Sequence, residues 1–86
     1  MGELKKIDLD ARELEHPKPL EHAIKALQQL DDESYFYMLH RKNPIPLIDM
    51  AQEQGFSTLS REDEAGNWHI LVSRNPAIEL EELLRV

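Results

Sequence analysis

The run SYFYMLH, residues 34–40, constrains this chain more than any other stretch. Alternate side chains of an extended strand leave opposite faces, so Tyr35, Tyr37 and Leu39 would share one side and Phe36 and Met38 the other. Both sides are apolar. A strand of this kind belongs inside a sheet with a cover over each face, and the remaining residues must supply both covers.

The flanking segments alternate in period. KKIDLDA, residues 5–11, places Ile7 and Leu9 on one face of a first strand. From Pro17 the spacing turns helical, with Leu20, Ala23, Ile24, Leu27 and Leu30 on one stripe and Glu21 and Lys25 paired at i, i+4 outside it. The acidic turn Asp31–Glu33 ends that helix. RKNPIPLIDMAQEQG reads as a second helix, with Asn43 as N-cap, Pro44 at N1 and Gly55 at C′, burying Leu47, Ile48, Met50 and Ala51. FSTLSRED and WHILVSR form two further strands joined by EAGN, where Gly66 and Asn67 suit positive φ. The closing NPAIELEELLRV, with Ile78, Leu80, Leu83 and Leu84, predicts a short terminal helix.

This order, β-α-β-α-β-β and then α, specifies an α/β (α+β) two-layer sandwich. Its first β-α-β unit carries parallel strands and a right-handed crossover. Two helices of this length share one face of the sheet and cannot cover both. Residues 1–75 are expected to form a single domain and residues 76–86 a helical tail. That tail, or a second subunit in a homodimer, would cover the other face of the central strand.

Composition narrows the function. Eighty-six residues suit one small core. The formal charge of −7 repels phosphate backbones, which argues against nucleic acid as a partner. The chain has no cysteine, hence no disulfide, thiolate metal site or thiol chemistry. MGELKKIDLD carries neither a signal-peptide nor an anchor pattern, and no apolar run reaches the ~20 residues that span a bilayer, so a cytoplasmic location is expected and membrane association is not.

Both main helices open on a Pro-x-Pro device: Pro17 and Pro19 after His16, Pro44 and Pro46 after Asn43. Proline is tolerated there because first-turn amides have no intrahelical acceptor. Histidine, however, is a poor cap beside Asn43, which singles out His16. Prolines also remove amides that would cradle a phosphate.

LDARELEHPKPL, residues 9–20, resembles the opening motif of the TusA/SirA-type sulfur-carrier proteins, with Asp10, Arg12 and Leu14 in place and His16 standing where those carriers hold cysteine before Pro-x-Pro. The chain is closer still to a bacterial family, DUF2249, similar to the carriers but lacking the cysteine. The shared features are LDxR…PxPL, a second segment MLHRKNPIPL, Gly55-Phe56 and Trp68, together covering about residues 7–74. The resemblance implies a TusA-like sandwich with a mixed four-stranded sheet whose last strand is antiparallel. For the carriers it would also imply a persulfide, which needs a thiol of lowered pKa and which a histidine does not supply.

In an open α/β sheet, ligands gather beyond the carboxyl ends of the parallel strands. That rim is expected to collect Arg12 and His16 from the first strand, His40 and Arg41 from the second, and Trp68 from the start of the last. Each has a purely structural alternative: Trp68 as packing, Arg12 paired with Asp10 to fix a loop, His40 as a strand end. His22 is expected in solvent, and His69 on the face away from Trp68, Ile70 and Val72. Three functions compete. The first is a non-catalytic binding module for a protein partner or small polar ligand. The second is an acid–base or metal-dependent enzyme using His16 and His40, and the third is a nucleic-acid module. A divalent metal on His16 and His40 would need a carboxylate from Asp10 or the Glu62–Glu64 run to complete its ligand set. No nucleophile, base and orienting group stand at a motif spacing, so no catalytic residue is assigned.

Overall fold

The computed structural model describes residues 4–84. Strands β1 (Lys5–Asp10), β2 (Ser34–His40), β3 (Ser57–Glu62) and β4 (Trp68–Ser73) form one sheet in the order β1-β2-β4-β3. Helices α1 (Lys18–Gln28) and α2 (Ile45–Glu53) follow β1 and β2, and a short α3 (Leu80–Leu83) follows β4. β1 runs parallel to β2, while β4 runs antiparallel to both β2 and β3. This is the expected α+β sandwich with a mixed sheet.

Pleating sorts the side chains as the alternation predicts. Phe36, Met38, Ile70 and Val72 are fully buried on the face that α1 and α2 cover, against Ala23, Ala26 and Leu27 of α1 and Leu47 and Ala51 of α2. On the opposite face Leu71 is buried by Leu80 and Leu84, with Tyr35, Tyr37, Leu59, Ile78 and Leu83 packed around them. The chain's own tail lies over β3 and β4, and Tyr35 and Tyr37 of β2, partly buried, pack against its cluster. Residues 85 and 86, the end of the expected tail helix, and residues 1–3 of the expected domain lie outside the described residues.

The end of α2 shows how local chemistry sets the chain direction. Gly55 takes φ 87°, its amide donates to the Gln52 carbonyl at 3.0 Å, and the Phe56 amide donates to the Ala51 carbonyl at 2.9 Å. This is a Schellman closure, in which only glycine occupies the left-handed position without strain. It turns Phe56 back onto the core before β3 begins.

The helix starts differ from expectation. The cap of α1 is Pro17 and that of α2 is Pro44, and neither has a side-chain cap. His16 and Asn43 stand one residue further out because tight turns close first: the Lys18 amide donates to the Glu15 carbonyl at 2.9 Å, and the Ile45 amide to the Asn43 carbonyl at 2.9 Å. The Asn43 side chain instead accepts the Ser60 hydroxyl at 2.8 Å, tying the α2 entry to β3. In the hairpin, Gly66 has φ 86° but Asn67 is not in the left-handed region. The Asn67 amide donates to the Asp63 carboxylate instead, at 3.0 Å.

Candidate functional site

The ends of β1 and β2, and the entries to α1 and α2, enclose a cavity of about 480 Å³. Its size falls in the range of small-molecule sites. Leu14, Leu20, Met38 and Leu47 give it apolar walls, Pro19 and Pro46 stiffen the two helix entries, and His16, His40, Arg41 and Lys42 bring nitrogen groups to it. Among the described residues Glu15 is its single carboxylate.

The parallel pairing of β1 with β2 explains why these residues converge. Both strands end on the same edge, both chains then turn into a helix, and both helices pack on the same face. The two Pro-x-Pro openings are therefore neighbours across the cavity. His40 closes β2 on the helix face, where its Nδ1 accepts the Arg41 amide at 2.9 Å. Burial, then the nearby charges of Arg41 and Lys42, hold the His40 imidazole below its ordinary pKa. Neutral at pH 7 with Nδ1 occupied, the ring keeps its proton on Nε2 and offers a donor, not a lone pair.

Three of the five expected rim residues, His16, His40 and Arg41, line the cavity, and two do not. Arg12 does not, because it is leashed to its own strand: Nε and Nη2 donate to Asp10 Oδ1 and Oδ2 at 2.9 and 2.8 Å. Asp10 pairs with Leu39, which places this fork on the sheet's tail face. Trp68 stands opposite His40 at the same sheet end, on the helix face. It sits one strand further over on β4, however, and packs against the main core. His22 is exposed on α1, as expected. Among the described residues no group of three His, Asp or Glu side chains is placed to hold a metal ion. His16 and His40 therefore have no carboxylate from Asp10 or from Glu62–Glu64 to complete a ligand set.

One constellation escaped the sequence. On the tail face, the Asp63 carboxylate accepts His69 Nε2 at 2.8 Å, and His69 Nδ1 accepts the Tyr37 hydroxyl at 2.6 Å. The Asp63 carboxylate also accepts the Ala65 and Asn67 amides, at 2.9 and 3.0 Å. The His69 hydrogen bond, first, and these amides hold its pKa down. Burial raises the pKa of Tyr37, so the phenol stays protonated and donates. Alternation alone puts Tyr37 and His69 on one face, the only signal the sequence held. Their meeting depends on the β2–β4 register, and Asp63 joins them through the hairpin loop.

The model of the family described as "Uncharacterized conserved protein (DUF2249)" matches residues 8–74, which include every residue lining the cavity. The chain belongs to that family. No curated protein and no solved structure matches it.

Proposed function

We propose that this DUF2249 domain is a non-catalytic binding module whose ligand, a small polar molecule or a segment of a partner protein, occupies the cavity between the two Pro-x-Pro helix entries. One observation carries the reading: a volume of about 480 Å³ lies where open α/β sheets hold their ligands, with apolar walls and a few nitrogen donors. Among the described residues no third His, Asp or Glu side chain joins His16 and His40 to hold a metal ion. His16 forms no hydrogen bond or ion pair among the described residues, and His40 is tied to its own backbone neighbour. The likeness of Asp10, Arg12, Leu14 and the following Pro17 and Pro19 to the opening of the TusA/SirA-type sulfur carriers supports the same location. With no cysteine, no thiol is present to carry sulfane sulfur, and His16 occupies that place.

The test is a titration of isotope-labelled protein with a mixture of small acids, amides, amines and alcohols, followed by backbone amide shifts. Shifts should cluster at Leu14, His40, Arg41 and Leu47. His16→Ala should leave the fold intact, since His16 is exposed and caps nothing, and should weaken those shifts. Shifts scattered over the surface, or confined to the tail face, reject the cavity as the site. Unfolding by His16→Ala with unchanged shifts in the surviving fold would make His16 structural.

A further inference from the structure

The cavity also states what kind of polar end its ligand carries. Arg41 and Lys42 line it, and neither has an ion-pair partner among the described residues. In a chain of net charge −7, a wall holding two cations, two imidazoles and one carboxylate is a local reversal of sign. Arg41 and Lys42 add to burial, the larger cause, in disfavouring protonation of His40. An anion is the complementary charge.

The helix entries select among anions. A phosphate site at a helix start uses a row of backbone amides. Here Pro17, Pro19, Pro44 and Pro46 have none, and the amides of Lys18 and Ile45 are already given to Glu15 and Asn43. Within those two openings the row is broken, so the anion must be met mainly by side chains. An arginine fork fits a planar two-oxygen group. The walls formed by Leu14, Leu20, Met38 and Leu47 require an apolar body behind that group.

Resting on the binding-module reading, we propose that the cavity takes an amphiphilic carboxylate: an apolar body against Leu14, Leu20, Met38 and Leu47, with its carboxylate held by Arg41 and Lys42. The probes are octanoate, octanol, octyl phosphate and acetate, each titrated below micelle formation while amide shifts are recorded. Octanoate should shift the amides of Leu14, His40, Arg41 and Leu47. Octanol and acetate should bind at least about tenfold more weakly, the loss of one charge-assisted contact or of the apolar burial. Arg41→Gln should weaken octanoate about tenfold and leave octanol unchanged. Octanol matching octanoate, or Arg41→Gln leaving octanoate unchanged, overturns the carboxylate assignment. Octyl phosphate binding more tightly than octanoate overturns it in favour of a phosphoryl group, and acetate matching octanoate removes the apolar body. No shift at the cavity with any of the four also overturns the inference. The mixed-fragment titration described above decides the binding-module reading separately.

Discussion

The two faces of the sheet are held by different physics. Under α1 and α2, β2 and β4 contribute Phe36, Met38, Ile70 and Val72, all fully buried against apolar helix residues. On the other face the apolar cover is the tail around Leu71, and beside it stands a polar chain, Tyr37 to His69 to Asp63. Over β1 that face turns to charge, with the Lys6 ammonium 4.5 Å from the centre of the Tyr37 ring and the Asp10–Arg12 fork at the strand end. Dispersion and burial, which are indifferent to pH, dominate the first face, and the acid-sensitive group at its rim is His40, whose lowered pKa opposes protonation in the fold. The second draws part of its order from hydrogen bonds to carboxylates, which acid can remove.

The largest break in this comparison should come from the helix face. Phe36→Ala leaves a void at a site with no exposure, at a cost of about 3–5 kcal/mol against a total of about 5–15 kcal/mol for a small domain. Urea unfolding followed by circular dichroism should show a large drop in midpoint, or an unfolded chain. Ending the chain at Asn75 tests the tail face. It removes Leu80 and Leu84 from Leu71 but also the cost of ordering the tail, so the expected loss is smaller, about 1–3 kcal/mol, or a change to a dimer that re-covers the face. Sedimentation and thermal melts read both, and a truncated chain that melts like the full one and stays monomeric would reduce the tail to ornament.

The smallest effect is the sharpest. Asp10 titrates at about 2, against 3.8 for the free group, chiefly because of the Arg12 hydrogen bond, and Asp63 is lowered chiefly by His69. The unfolded chain therefore takes up these protons more readily than the folded one, and acidification favours unfolding. Their contribution is complete above pH 3.8 and is lost, for Asp10, as pH falls towards about 2. Both carboxylates sit at the sheet's tail face, where salt screens them. Asp63→Asn should lower stability modestly at pH 7 and flatten the acid slope between pH 5 and 2, read as urea midpoints. An unaltered slope would assign acid sensitivity to other carboxylates.

Periodicity made most of the fold legible. The double-faced β2, the apolar stripes of α1 and α2 and the glycine at the end of α2 each follow from spacing or from one residue's conformational freedom. Periodicity could not fix where a helix begins after proline. There a turn of three or four residues competes with the cap, and His16 and Asn43 fell outside α1 and α2. The cavity was half legible for the same reason. Parallel strands and twin openings bring His16, His40 and Arg41 together, but the pairing of Arg12 with Asp10 across the pleat carries Arg12 to the opposite side. Tyr37, His69 and Asp63 were hidden because strand register and loop length decide their meeting, and neither is written in local pattern.

The strand order β1-β2-β4-β3 carries a consequence for how the molecule comes together. β1, α1 and β2 form one half that is contiguous in the chain, and β3 and β4, joined by their tight hairpin, form another. The ladder between β2 and β4 joins the two, together with α2, which packs on α1 and on β3. Only the hairpin joins near neighbours: its pairs are 6 to 16 residues apart, whereas β1–β2 pairs are 29 apart and β2–β4 pairs 28 to 38. The β1–β2 and β2–β4 ladders thus carry comparable loop-closure costs, and both must form before the core is complete. Phe36 and Met38 stay without their full surroundings until then. With one core cluster running across it, the β2–β4 ladder binds the two halves into a single cooperative unit, and its amides should be among the slowest to exchange.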